Sequence, residues 1–465
     1  MDPEMMVGFK SSDLLDREYG IYDSMDDAVK DAQEALYYYL HTTFALRKNI
    51  IGNIRKLLWQ HREELARMAV TETGMGRVED KTAKNALVIE KTPGIELHDS
   101  RPQPILPGDH GLTFDGGVPF GIIGAVTPST NPAATIINNS ITMLSAGNIV
   151  IFNTHPGAKN VSNTAAALVN RAAREADSKH NLVFSMRNPT IESSQQLMKH
   201  PEIRTLVVTG GPDVVKAGMT SGKKAIAAGP GNPPVVVDET AHISQAAKRI
   251  VQGASFDNNI LCIAEKEVFV VEEVTDALKK DMSLHNAFEL SSADLKKIED
   301  IIFIEKDGAK VVNKKYIGKN AEVIAHDAGI KVPMGTRLLF AETGFDHPLV
   351  QHEQLMPVLP IVRVKNWKEG IDYAIKAEHN FHHTSIMHST NIERLITMAR
   401  LVNTTIFVEN GHSLSGLGFE GEGHTTMTIA GPTGEGVTGP WSFVRQRRYV
   451  VINSFRGNIS TFSRA

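Results

Sequence analysis

One thiol sits in the segment Ser255-Phe-Asp-Asn-Asn-Ile-Leu-Cys262-Ile-Ala-Glu-Lys266, and it is the sole cysteine of the 465-residue chain. A lone cysteine is ordinarily a small, inert core residue. As a thiolate it is a strong nucleophile, formed where backbone N–H groups or a positive charge lower its pKa. Being single, it can form neither an intramolecular disulfide nor a thiolate metal cluster. The histidines His379, His382, His383 and His388 lie close in sequence. Their spacing fits no zinc site and nothing nearby completes a ligand set, so no metal is expected. The stretch Gly416-Leu-Gly418-Phe-Glu-Gly421 has the G-x-G-x-x-G spacing, but no strand feeds it and no helix follows, so a phosphate turn is not expected there. Thr209-Gly210-Gly211-Pro212 suits a phosphate better. A strand ends, glycines turn, and a helix over Asp213 to Met219 would present its N-terminus.

Such groups need a scaffold, and the chain is long and apolar enough, at 42% hydrophobic, to bury the cores of two or three domains. A net charge of -4 with dispersed Lys and Arg gives no footprint for nucleic acid. No apolar run reaches the roughly 20 residues of a membrane span, and Met1 to Arg17 lacks a basic-then-apolar leader, so a cytoplasmic protein is expected. The first hundred residues have helical spacing, over Met25 to Phe44 and Thr43 to Glu72. Residues 105–118 read as an extended hairpin. From Phe120, short apolar strands alternate with helices: Gly121–Val126, Asn148–Phe152, Asn181–Phe184 and Thr205–Thr209. Strands apolar on both faces imply a parallel sheet covered by helices, with ligands at the carboxyl ends. A second α/β pattern opens at Val235 and runs to Phe443, placing Cys262 on a loop between a helix, His242 to Gly253, and a strand, Val268 to Val271. The tail from Arg445 to Phe462 alternates like an exposed strand needing a partner. The fold class is therefore α/β. Residues 1–104 with 119–234 form one domain, 235–443 a second, and 105–118 with 444–465 a small β arm for oligomer contacts.

The Cys262 segment resembles the nucleophile segment of CoA-acylating aldehyde dehydrogenases, the propionaldehyde and acetaldehyde enzymes of bacterial microcompartments. Seven further blocks follow that family's order: Thr127-Pro-Ser-Thr-Asn-Pro132, Ser145-Ala-Gly-Asn148, His155-Pro-Gly-Ala-Lys159, Pro189-Thr-Ile-Glu-Ser193, Val208-Thr-Gly-Gly211, Ala228-Gly-Pro-Gly-Asn-Pro-Pro234 and His352-Glu-Gln-Leu-Met-Pro357. The resemblance implies a dinucleotide domain, a catalytic domain and an oligomerisation arm. It also implies NAD as cofactor, coenzyme A as co-substrate, a short aliphatic aldehyde as substrate, and a homo-dimer or tetramer. Kinship suggests encapsulation with shell or cargo proteins as partners, yet Met1 to Met5, expected to be a cloning remnant, leaves little room for a targeting helix.

By resemblance, Cys262 attacks the aldehyde, and the resulting oxyanion needs hydrogen-bond donors. The backbone N–H of Cys262 is one. For the second, a gapless match puts Thr130 where the wider superfamily has an asparagine, with Asn131 next to it. Hydrolytic relatives carry a glutamate before the turn matched by Gly229-Pro230-Gly231, and it activates water. Here that place is Ala228. Without a base for water, the acyl group waits for a thiol, which favours transfer to coenzyme A. Glu239 is the alternative base. Thr127, Pro128, Thr209, Gly210, Gly211, Gly229, Glu353 and Leu355 are expected to line the nucleotide crevice, Glu353 on a ribose. Hydrolytic relatives present a lysine after the strand at Ile149. Asn153, Thr154, His155 and Pro156 stand there instead, and Lys159 is near enough to meet a 2'-phosphate. The glycine-rich stretch 411–439, with His412, Ser415, His424, Thr425 and Thr426, is expected to wall the acyl pocket. Two other readings stay open: a hydrolytic aldehyde dehydrogenase, and a catalytically silent cargo or scaffold.

Overall fold

The computed structural model describes residues 14–97, 105–306 and 308–455; the expectations for Met1 to Met5 and for the last ten residues of the arm lie outside these. The chain opens with β1 (Ile21–Tyr22), α1 (Met25–Leu40), α2 (Phe44–Thr73) and α3 (Val78–Lys91), then a hairpin of β2 (Ile105–Gly108) and β3 (Gly111–Pro119). Thr43 starts α2 by accepting the Leu46 N–H, and Gly74 ends it at φ 66°, a backbone region open to glycine without strain. Strand and helix then alternate through β4 (Ile122–Val126), α4 (Pro132–Ser145), β5 (Ile149–Asn153), α5 (Lys159–Glu175), β6 (Val183–Met186), α6 (Ile191–Lys199), β7 (Ile203–Thr209), α7 (Pro212–Met219) and β8 (Lys224–Ala228).

These strands make one parallel sheet in the order β1-β6-β5-β4-β7-β8. Ile123, Ala125 and all of Ile149 to Phe152 are buried, as expected of strands covered on both faces. From β4 the chain builds outward to β5 and β6 on one side, then returns to add β7 and β8 on the other. A reversal of this kind is where open α/β sheets place their ligand crevice, at the strands' carboxyl ends. The sequence reading missed both edge strands, β1 because two residues show no period, and β8 because its alanines carry no β signal.

The second sheet draws on β9 (Pro234–Val237), β10 (Glu267–Val271), β11 (Ala287–Glu289), β12 (Leu338–Thr343), β13 (Val358–Val364), β14 (Thr384–His388) and β15 (Ile406–Glu409). It is parallel throughout, in the order β11-β12-β13-β10-β9-β14-β15. Helix α8 (Ile243–Ser255) crosses from β9 to the nucleophile segment, buries Ala246, Ala247, Ile250, Val251 and Ala254, and turns its polar side outward. A last strand, β16 (Val444–Ile452), returns to pair antiparallel with β3, so the third sheet is β2-β3-β16. The glycine-rich stretch is less bare than expected. It holds a 3-10 turn, Ser413–Leu417, and a hairpin of Ile429–Ala430 with Gly436–Val437.

Candidate functional site

The nucleophile loop leaves α8 through three successive left-handed residues, Asp257, Asn258 and Asn259, at φ 48°, 55° and 63°. Asn and Asp tolerate this region better than other L-residues, but a run of three persists only where the surroundings hold it. Each side chain is tied. Asp257 is fully buried and accepts from the Arg77 N–H at 2.9 Å, from Lys81 Nζ at 3.0 Å and from Lys84 Nζ at 2.5 Å. Asn258 Oδ1 accepts from Arg77 Nε at 2.9 Å, while its amide donates to the Gly318 carbonyl and to Asn320 Oδ1. The amide of Asn259 donates to the carbonyls of Ala254 and Glu265, closing the loop on itself. Cys262 is thereby held half-buried, its carbonyl so close to Gly231 that a Cβ there would stand 2.6 Å from it. Burial first, and then the Glu353 carboxylate, push the thiol up to about 12, while Lys266 and Lys84 pull it down.

Both expected oxyanion residues belong to the same network. Lys84 Nζ donates to Asn131 Oδ1 at 2.6 Å and Lys81 Nζ to the Thr130 carbonyl at 3.2 Å. With its oxygen held, the Asn131 amide is fixed in orientation, and one N–H reaches Thr130 Oγ1 at 3.2 Å. Asn131 also precedes Pro132 at the start of α4, and Pro at the first helical position suits that turn. Desolvation brings Lys81 down to about 8.

Of the expected nucleotide residues, Thr127, Pro128, Asn153 to Pro156, Thr209 to Gly211 and Gly229 lie at or just beyond the carboxyl ends of the first sheet, whereas Glu353 and Leu355 precede β13 of the second. Thr127 and Thr154, just beyond β4 and β5, keep buried hydroxyls without a protein partner, which suits contact with a bound molecule. Pro128 follows Thr127 at the half-buried rim. Gly211 begins α7 with no side-chain cap and nothing within 4 Å of where its Cβ would be, so the helix N-terminus opens outward. The Gly210 N–H donates to the Ala228 carbonyl at 3.2 Å, and Thr209 Oγ1 lies 3.2 Å from Thr428 Oγ1. Gly229 packs near Pro432. Glu353 Oε1 accepts the Gly231 N–H at 3.4 Å, and burial raises its pKa. Leu355 is left-handed at φ 54°, with its carbonyl accepting from the Gly318 N–H. Asn153 is different: its side chain is buried and spent on Ser193 and Thr190, anchoring α6 rather than lining the crevice. His155 and Pro156 are exposed, with His155 Nδ1 accepting the Gly157 N–H, and Lys159 Nζ donates to Asn188 Oδ1 at 2.7 Å.

Residues 14–426 match the family described as the aldehyde dehydrogenase family. The chain belongs to it. Among its relatives is the acetylating acetaldehyde dehydrogenase EutE of Escherichia coli, 48% identical over 445 residues, which span 94% of each chain. Solved structures that superpose include the Rhodopseudomonas palustris propionaldehyde dehydrogenase with bound CoA and an acylated cysteine, at TM-score 0.90 and 45% identity over 93% of this chain and 98% of that one. Another is a propionaldehyde dehydrogenase from the Clostridium phytofermentans fucose utilisation microcompartment, at TM-score 0.90 and 42% identity over 94% and 99%.

For an aldehyde dehydrogenase, the placement of acids around the thiol matters most. Ala228 is buried at the end of β8. Glu239, the alternative base, pairs with Arg394 Nη2 at 2.7 Å. Glu353 is the carboxylate that raises the thiol most. Glu265 is fully buried, accepts both the Ser413 N–H and Oγ at 2.8 Å, and is raised to about 7 by burial.

Sequence reasoning missed His383 and Lys266. His383 packs against Gly231, donates its backbone N–H to Glu378 at 2.8 Å, and leaves Nε2 buried without a partner. Burial, then Lys266, lower it to about 4, so its ring is neutral. The other grouped histidines disperse: His379 Nε2 meets the Gln351 carbonyl and His382 Nδ1 the Asn403 carbonyl, while His388 lies buried at the end of β14. No group of three or more His, Cys, Asp or Glu among the described residues could hold a metal. In the glycine-rich stretch, His412 and Phe256 both pack on Phe419, at 6.0 and 5.8 Å between ring centroids, which brings this stretch against the nucleophile loop. Thr425 and Thr426 are fully buried, whereas Ser415 and His424 are only half-buried.

Proposed function

We propose that this chain is a CoA-acylating aldehyde dehydrogenase, oxidising acetaldehyde, propionaldehyde or a similar short aldehyde and handing the acyl group from Cys262 to coenzyme A. What supports this reading is the half-buried Cys262 on its held loop, with Ala228 where the resemblance puts the hydrolytic base and Glu239 tied to Arg394. The Cys262 thiolate forms a C–S bond to the aldehyde carbon, and the carbonyl electron pair moves to oxygen. That oxyanion would sit between the Cys262 N–H and the Asn131 amide, which Lys84 orients. NAD, when bound, takes the hydride. The unpartnered hydroxyls of Thr127 and Thr154 and the open N-terminus of α7 would hold the nucleotide, and Glu353 its ribose. The carbonyl re-forms as a thioester. The coenzyme A sulfur then bonds to the acyl carbon, the Cys262 C–S bond breaks, and acyl-CoA departs. Lys159 and the exposed His155 and Pro156 would face the adenine end, and the residues around Phe419 the acyl chain.

A chemical test follows the acyl group. Incubation with propionaldehyde and NAD should add one propionyl mass to the Cys262 peptide, and coenzyme A should remove it as propionyl-CoA. An unmodified Cys262 that turns over, or release as free propionate at the same rate with and without coenzyme A, would contradict the reading.

We also propose that the arm joins copies into a dimer or tetramer, since Ile105, Leu106, Val450 and Ile452 stand exposed on its two outer strands. Light scattering tests this, and a monomer at micromolar concentration would refute it. The microcompartment source of the Clostridium phytofermentans structure supports placing this chain in such a compartment with shell or cargo partners. No helix among the described residues is long and apolar enough to cross a membrane.

A further inference from the structure

Lys266 is fully buried at the entrance to β10, four residues past the nucleophile. Its Nζ donates to the Asn259 carbonyl at 2.9 Å, to Asn259 Oδ1, and to the Leu261 carbonyl at 3.2 Å. All three N–H groups are thus spent on uncharged oxygens of the loop that carries Cys262. Nor does any carboxylate among the described residues make an ion pair with it. Burying an ammonium in this way is expensive unless something nearby gains from the charge. The Leu261 carbonyl that it holds belongs to the peptide bond joining Leu261 to Cys262, so the charge lies next to the nucleophile; burial pulls the Lys266 ammonium down while Glu353 and Cys262 hold it up, with Glu265 and Glu267 on either side in sequence. Glu265 is engaged by Ser413 and Glu267 has no partner, so neither neutralises Lys266 directly.

We propose that Lys266 is a positioning residue of the acyl-transfer site, clamping residues 259–261 beneath the nucleophile and lending its charge to the Cys262 sulfur whenever that sulfur is anionic. The sulfur is anionic twice in each turnover, once when it attacks the aldehyde and again when coenzyme A expels it from the thioester. One fixed cation therefore serves both half-reactions.

The test separates clamp from charge. It rests on Cys262 being the nucleophile, but it reads the thiol by alkylation rather than turnover, so failure of the proposed activity would leave it interpretable. Lys266→Gln keeps N–H donors for the loop carbonyls and loses the charge, while Lys266→Arg keeps the charge. Iodoacetamide alkylation of Cys262, followed from pH 7 to 10 by peptide mass spectrometry, should move upward by about one pH unit in Lys266→Gln, or about tenfold in rate at pH 8. Lys266→Arg should stay within about threefold of the parent chain. The other charged groups facing the sulfur, Glu353 and Lys84, are common to all three proteins. An unshifted profile in Lys266→Gln, or equal shifts in both variants, would overturn the proposal. Should Lys266→Gln fail to fold, the alkylation profile of Lys266→Arg against the parent chain still decides, since a shift of a full pH unit with the charge kept would overturn the proposal.

Discussion

Replacing Asn131 tests which of two adjacent residues stabilises the oxyanion. Asn131 Oδ1 is held at 2.6 Å by Lys84 Nζ, itself held at 2.5 Å by Asp257, so the amide nitrogen has a fixed direction. Thr130 Oγ1 already accepts from that nitrogen at 3.2 Å, and the Thr130 carbonyl from Lys81. Its hydroxyl oxygen therefore orients the amide, whose second N–H is left for the substrate. Removing one preorganised oxyanion donor typically costs about 100- to 1,000-fold in rate, roughly 2.7–4 kcal/mol. Asn131→Ala should slow the first-turnover NADH burst by that factor at saturating aldehyde. Thr130→Val keeps the shape and loosens only the amide's neighbour, so it should slow the burst by less than about fivefold, as expected of one neutral hydrogen bond. Asn131→Ala also strands the Lys84 ammonium by one acceptor, and a drop of about 1–3 kcal/mol in stability should accompany it. Stopped-flow absorbance measures the burst, and urea unfolding the stability. A burst within threefold of the parent for Asn131→Ala, or a larger loss for Thr130→Val, would refute the assignment.

The other predictions concern charge and nucleophile. Asp257→Asn leaves Lys81 and Lys84 buried without their shared carboxylate, so unfolding free energy should fall by about 3–5 kcal/mol and the burst should collapse; unchanged urea unfolding would contradict this. Glu267 has both carboxyl oxygens buried without partners, and burial holds its pKa far above the ordinary value. Because the folded chain binds this proton more tightly, folding is penalised increasingly as pH rises above the unfolded carboxyl's pKa of about 4.3. Glu267→Gln should accordingly raise the Tm at pH 7.5, with the gain vanishing near pH 4; an equal gain at both pH values would speak against titration as the cause. Glu239→Gln should leave the slow CoA-free turnover after the burst unchanged, since that carboxylate already faces Arg394, and a large loss of that turnover would restore it as a base. Cys262→Ala should fold normally and form no NADH, whereas a silent scaffold would show no difference from the parent chain.

Much of this site is readable in the sequence because its backbone logic is local. Strands apolar on both faces, each stopped by Thr-Pro, Asn-Thr-His-Pro or Thr-Gly-Gly-Pro, announce a crevice at their carboxyl ends, and the structure puts Thr127, Thr154 and Gly211 there. The charges beneath the thiol were less legible. Lys81 and Lys84 stand on α3 at positions that a helical reading assigns to a solvated face, and Asp257, which buries them, is more than 170 residues away. Two local signals did exist. Asp257-Asn258-Asn259 is a run of the residue types that best accept left-handed backbone, and Glu265-Lys266-Glu267 places three charges at the mouth of a strand buried on both sides. Asn153 shows the converse limit. It stands where a crevice residue is expected, and only the position of α6 reveals that its amide is already spent.

NADH counted per active site, with propionaldehyde and NAD mixed in a stopped-flow instrument with and without coenzyme A, addresses the central claim directly. Without coenzyme A the trace should rise by one NADH per Cys262 and then flatten, because Ala228 stands where the hydrolytic base is expected and Glu239 is held by Arg394. Adding coenzyme A should release steady turnover. Continuous NADH formation in its absence, at a rate comparable to that in its presence, would contradict acyl transfer as the purpose of this site.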